Sequence, residues 1–78
     1  MTKQVYWCGP IGPIKDGVQM DDFDQPIGDV FIDGKTKMGP WANMSEASFK
    51  VFGIGELGLG KGQKYQKQPD GRWLKVEG

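Results

Sequence analysis

The sequence predicts a small α+β domain that is mostly β, and three observations predict it. Thirteen glycines and five prolines in 78 residues favour turns and short strands, since glycine reaches unusual backbone angles and proline lacks a donor. Three Trp, two Tyr and four Phe are spread along the whole chain, so aromatic packing must supply much of a thin core. Only one segment carries the cap, apolar spacing and stop of a helix. A chain this short makes one domain, 1–78, near the lower limit of what a hydrophobic core stabilises unaided. Residues 1–20 are expected to form an N-terminal strand or arm, and 21–78 the core.

Taken in order, residues 3–8 (Lys3, Gln4, Val5, Tyr6, Trp7, Cys8) are β-branched and aromatic and read as a strand. Gly9-Pro10-Ile11-Gly12-Pro13-Ile14 then blocks regular structure, and residues 15–25 read as an acidic connector. Residues 29–32 and 35–38 read as a hairpin turning at Asp33-Gly34, because Asp-Gly suits a turn whose central residues both need positive φ. Gly39-Pro40 ends that hairpin, and Trp41 is expected to anchor the next segment in the core. Residues 45–52 are the helix: Ser45 caps it, Glu46 suits its positive end, Phe49 and Phe52 share a face, and Gly53 stops it. A glycine-rich stretch, 53–62, leads to a second hairpin. There, residues 63–68 and 72–76 flank Pro69-Asp70-Gly71, a type I turn with glycine in the left-handed bulge position.

Two features bear on metal and chemistry. Asp21, Asp24, Ser45 and Ser48 have the spacing of a zinc ribbon, with two residues inside each pair and twenty between the pairs. Thiolates hold zinc in such sites, and two carboxylates with two neutral hydroxyls make a poor substitute. The expectation is a degenerate zinc-ribbon or treble-clef-like domain with two β-hairpins, one short helix and no metal. Asp21 and Asp24 would accept the backbone N–H bonds that cysteine sulfur accepts in a knuckle, while Ser45 caps the helix.

Catalysis has little to stand on. The chain has no histidine, hence no ready acid–base group near neutral pH. Cys8 lacks an imidazole partner and is expected to be a small, partly buried hydrophobe. The glycines at 53, 55 and 58 match a dinucleotide fingerprint but follow a helix instead of a strand, and Gly62 replaces the Ser or Thr a P-loop requires. Neither a cofactor, a small-molecule substrate nor an enzyme is expected. Cys8 has no partner for a disulfide, which suits a reducing compartment. No apolar run approaches a membrane span, and no signal peptide is read at the start.

The net charge is zero, but it is polarised. Residues 1–34 hold Lys3 and Lys15 against Asp16, Asp21, Asp22, Asp24, Asp29 and Asp33, whereas residues 35–78 hold eight basic residues against four acidic ones. Such a chain can self-associate or turn its basic half to an acidic partner. Lys61, Lys64, Tyr65, Lys67, Arg72, Trp73 and Lys75 interleave cations with aromatics on the second hairpin and form the candidate surface for nucleic acid or another partner. The competing reading is Tyr65 and Trp73 packed across the strands, with lysines kept for solubility. Residues 3–8 are the candidate arm for strand addition to a partner sheet.

From Asp21 onward the chain resembles a group of small phage-encoded proteins of zinc-ribbon type. The matching stretches are Asp33-Gly34-Lys35-Thr36, Gly39-Pro40-Trp41-Ala42-Asn43-Met44, Gly58-Leu59-Gly60-Lys61-Gly62-Gln63-Lys64-Tyr65 and Asp70-Gly71-Arg72-Trp73. In that group the two pairs look like C-x-x-C, and this chain departs at all four positions. The resemblance implies a non-enzymatic phage protein of the virion or host cytoplasm, bound to the capsid or another structural protein or self-assembled. A nucleic-acid-binding accessory protein is the second expectation. A phage inhibitor of a host enzyme, mimicking nucleic acid with Asp16, Asp21, Asp22 and Asp24, is the third.

Overall fold

The computed structural model describes residues 3–78. Its centre is a four-stranded antiparallel sheet in the order β4-β3-β5-β6, built from β3 (Val30–Lys35), β4 (Trp41–Met44), β5 (Gly62–Lys67) and β6 (Trp73–Glu77). A separate two-stranded ribbon pairs β1 (Ile14–Lys15) with β2 (Val18–Gln19), and α1 (Glu46–Phe52) is the one helix among the described residues. The domain is thus small, α+β and mostly β, and thin, with principal extents of 36 × 32 × 18 Å.

Side chains alternate across a strand, so the register assigns each residue to a face. Phe31 lies opposite Tyr65, Tyr65 opposite Lys75, and Lys67 opposite Trp73, which puts Phe31, Tyr65 and Trp73 on one face. The N-terminal segment covers that face with Ile11, Ile27 and Trp7. The rings interlock: Phe31 and Tyr65 stack at 5.1 Å, and Trp7 and Trp73 meet Phe31 edge-on at 5.3 and 5.0 Å. Such pairs add to their area burial. The other face carries Ile32 opposite Met44 and receives α1. Within the N-terminal segment, Ile11 belongs to the same core as β3 and β5, and Trp7 packs against it.

Residues 3–8 do not form an extended strand of their own, but they do pair. Tyr6 bridges Leu74, with Lys75 N–H donating to Val5 O at 2.8 Å and Trp7 N–H to Trp73 O at 2.9 Å. This segment therefore lies along β6 as the outer edge of the sheet. By antiparallel alternation, Gln4 and Tyr6 turn their own N–H and C=O groups away from the sheet. The β4 edge is different: Asp22 N–H donates to Asn43 O at 2.9 Å, and Asn43 N–H donates to Asp22 Oδ2 at 2.7 Å.

Local signals placed α1 and the last hairpin where they are. Ser45 Oγ accepts the Ser48 N–H, and Gly53 N–H closes the helix on Phe49 O at 2.9 Å. Gly71 sits at φ 89° with its N–H on Gln68 O, the geometry expected of the Pro69-Asp70-Gly71 turn. Two expectations fail. Asp33-Gly34 is not a turn but runs through the middle of β3, where a Cβ on Gly34 would meet Phe49 Cε1 at 3.3 Å. Glycine is needed there for close packing of the helix, and the chain reverses later, at residues 36–40, where Thr36 binds Pro40 O through both N–H and hydroxyl. The acidic connector is also more than that. Asp16 and Gly17, at φ 50° and 77°, form the positive-φ turn between β1 and β2.

Gly53 is the tightest glycine. A Cβ there would lie 2.2 Å from Phe49 Cδ1 and 2.7 Å from Phe49 O, whereas one on Gly28 would meet nothing within 4 Å. Overpacking of this kind costs about 1–3 kcal/mol, and an unhindered glycine tolerates alanine within about 0.5 kcal/mol or gains slightly. Urea denaturation is expected to show Gly53→Ala destabilised in that range and Gly28→Ala close to the parent chain.

Candidate functional site

Of the four ribbon-spaced positions, the fold brings together three. Asp21 is 1% exposed, and a buried carboxylate survives only if its lone pairs are used. Its Oδ1 accepts the N–H groups of Phe23 at 2.8 Å and Gln25 at 2.9 Å, and its Oδ2 accepts the Ser45 N–H at 2.9 Å. The nearby Ser48 hydroxyl helps hold the carboxyl's pKa down. Ser48 N–H in turn donates to Ser45 Oγ at 3.1 Å, and the two hydroxyl oxygens lie 3.2 Å apart. Ser45 and Ser48 are buried, and among the described residues no buried side-chain polar atom lacks a partner.

Asp24 does not join them. Its backbone takes the left-handed conformation at φ 60°, its N–H closes the turn on Asp21 O at 3.2 Å, and its carboxylate pairs outward with Lys15. Asp24 therefore supplies the bend and a surface ion pair, not a second acceptor for the corner. Among the described residues no three of His, Cys, Asp and Glu converge. The corner is a hydrogen-bonded stitch between the 21–25 turn and the start of α1. Phe23 completes it by stacking on Phe52 at 4.2 Å.

Burial alone would push the Asp21 carboxyl up, but bonds from Ser45 N–H, Gln25 N–H and Phe23 N–H, together with the nearby Ser48 hydroxyl, outweigh it and hold it below the ordinary aspartate value. Asp33, half-buried on the aromatic face, moves the other way. Burial raises it first, and the nearby charge of Asp22 raises it further. Tyr65 is raised by burial and by Asp33.

The second hairpin does not offer the aromatics expected of it. Tyr65 is 7% exposed, and Tyr65 and Trp73 lie in the ring cluster of the core, where no base can stack on them. Arg72 is held by Asp70, with Nε 2.8 Å from Oδ2, and lies over the Tyr6 ring at 4.1 Å. Lys61 and Lys64 pair with Glu56 at 3.6 Å and Glu46 at 3.5 Å. Lys67 and Lys75 remain without an ion-pair partner among the described residues.

The acidic mimic is similarly dispersed. Asp21 is buried, Asp24 pairs with Lys15, and Asp22 is bonded to β4. Cys8 is exposed, not partly buried as its residue type suggested. Trp41 is also no anchor, being 44% exposed. Among the described residues no helix is long and apolar enough to cross a membrane.

Sequence reasoning missed the Asp22–Asn43 stitch, which carries no local signal. It also missed the exposure of Trp41. The Gly39-Pro40 pair before it was a usable cue, since a residue leaving a surface turn often stays outside. No family model matches the chain, and neither a curated protein nor a solved structure matches it.

The opposite shifts of Asp21 and Asp33 predict opposite pH signatures. Asp21 has a folded pKa below its unfolded one, so its contribution is present above about pH 4 and lost as pH falls through the folded value. Asp21→Asn is expected to destabilise by roughly 2 kcal/mol or more at neutral pH, because N–H donors then face an amide. That deficit shrinks in acid. Asp33→Asn is expected to stabilise at neutral pH, with the gain fading as pH drops below the unfolded aspartate value. Denaturation midpoints measured from pH 7 to pH 3 check both signs.

Proposed function

We propose that this chain is a non-enzymatic phage protein associated with the virion, binding the capsid or another structural protein through the outer edge of its sheet. The observation that carries the reading is the edge formed by residues 3–8. Its inner side is bonded to β6, while its outer side carries backbone groups of Gln4 and Tyr6 with no partner among the described residues, and a cleft of about 450 Å³ lined by Val5, Leu74, Val76 and their neighbours lies beside it. Val5 and Val76 are 47% and 45% exposed there. An open edge with apolar side chains beside it suits an added strand: main-chain bonds supply affinity and the flanking pockets supply specificity.

Two further points support the reading. The motif resemblance is to phage-encoded proteins. The core is also small, with six buried apolar residues among those described, so packing into a lattice would add stability by mass action. The mode of strand addition differs from the sequence expectation. Residues 3–8 are already docked on β6, so they receive a partner strand in place and are not thrown out as a free donor.

Mass spectrometry of particles purified from a phage that encodes this sequence is expected to find the chain at a fixed copy number. Its absence from purified particles overturns the reading. Gln4→Pro removes an outward N–H and leaves the Val5 and Trp7 bonds to β6 in place. It is expected to weaken co-sedimentation with assembled particles at least about five-fold, with little change in melting temperature.

A further inference from the structure

We propose that the end of the sheet carrying the β3–β4 turn is a contact surface for single-stranded nucleic acid, with Trp41 as the stacking platform and Lys35, Lys37 and Lys50 as the phosphate contacts. This surface is distinct from the strand edge and from the second hairpin, and it stands whether or not the chain rides in a virion.

Trp41 is the most exposed of the tryptophans, at 44%. The aromatic contacts of the described residues join Trp7, Phe23, Phe31, Phe52, Tyr65 and Trp73, and Trp41 takes part in none of them. A ring with no aromatic neighbour and an open part of its face is free to take a stacking partner from solution. Directly across the ladder stands Lys35, on the same face as Trp41. Opposed residues of an antiparallel pair hold their Cβ atoms about 5 Å apart, so the Lys35 side chain starts beside the ring.

Backbone bonds bring more cations to this end. Lys37 N–H donates to Phe52 O at 2.8 Å, which places Lys37 beside the last turn of α1, where Lys50 is exposed. Lys35 N–H donates to Lys61 O at 2.9 Å, adding a fourth lysine at the margin. Among the described residues no carboxylate lies within ion-pairing distance of Lys35, Lys37 or Lys50. By contrast, Arg72, Lys61 and Lys64 are all paired. The acidic residues Asp22 and Asp33 begin on the same face beyond Lys35, so they bound the patch on one side.

An exposed indole with Lys35 on its own face, and Lys37 and Lys50 on the helix side of the same sheet end, suits a flexible strand that passes over that end: phosphates meet the cations and a base stacks on the ring. A duplex hides its base faces and gains only the charge term.

The test is fluorescence anisotropy with a labelled twelve-nucleotide dT strand and a duplex of the same length, at low and at physiological salt. Single-strand binding is expected, with a salt slope of about −2 for three phosphate contacts. Trp41→Ala is expected to weaken it roughly ten-fold or more, and the pair Lys35→Glu/Lys37→Glu to abolish it at physiological salt. Lys67→Glu/Lys75→Glu on the second hairpin is expected to leave it unchanged. Thermal melting of every variant confirms folding, and the lysine pair carries the test should Trp41→Ala melt early. Three results would overturn the proposal: no binding at low salt; equal affinity for duplex and single strand with Trp41→Ala unaffected, which marks a generic polyanion site; or loss in the hairpin variant instead of the Lys35/Lys37 variant.

Discussion

The Asp21 carboxylate is the interaction on which the remaining structure depends. Taking a charge out of water costs several kcal/mol, and here the cost is offset by three backbone N–H donors converging on one side chain, with a hydroxyl nearby. Each donor belongs to a group whose position matters. Phe23 and Gln25 shape the turn that returns the chain toward β3, and Ser45 starts the helix. With Asp22 bonded to Asn43 next door, two successive aspartates hold the N-terminal segment against both β4 and α1. A carboxylate in this role needs neither metal nor redox chemistry, only a desolvated pocket with donors already in place.

Around that stitch the domain is one sheet covered on both faces, and the covering decides which side chains are free. The aromatic face closes over Phe31, Tyr65 and Trp73 with Trp7, so aromatics that look available in the sequence become core. On the helix face, Gly34 and Gly53 let Phe49 approach the strand and the helix end closely. What remains outside includes a strand edge, a tryptophan at a turn, and lysines without ion-pair partners among the described residues. In a domain this thin the aromatic rings are mostly committed to stability, Trp41 excepted, while several aliphatic side chains such as Ile14, Met38 and Leu59 stay exposed.

The legible parts of the fold were those set by bonds between near neighbours. The Ser45 cap, the stop at Gly53 and the Pro69-Asp70-Gly71 turn each depend on residues within a few positions, and each stands where expected. Two of the three Asp-Gly pairs show the limit. Both satisfy the local turn rule, yet 16–17 turns and 33–34 does not, because Gly34 answers to Phe49, fifteen positions away in the chain and 3.3 Å from where its Cβ would be. Asp21 and Ser45 could be connected from their spacing alone, since the pair pattern joins distant residues. Asp22 and Asn43 could not, having no pattern to announce them. The fate of Tyr65, Trp73 and Trp41 was likewise hidden, because which aromatics are buried depends on what lies over each face.

The two edges of the sheet are unequal, and this bears on how copies of the chain can assemble. At β4, Asp22 occupies the outward groups of Asn43, and Pro40 precedes the strand, so little of that border can pair. At residues 3–8 the outward groups of Gln4 and Tyr6 have no partner among the described residues. A fibril needs two compatible borders on every subunit, one to receive and one to offer. With only one, any strand-to-strand contact between copies must use the same border twice, which imposes a two-fold axis and ends growth at the pair.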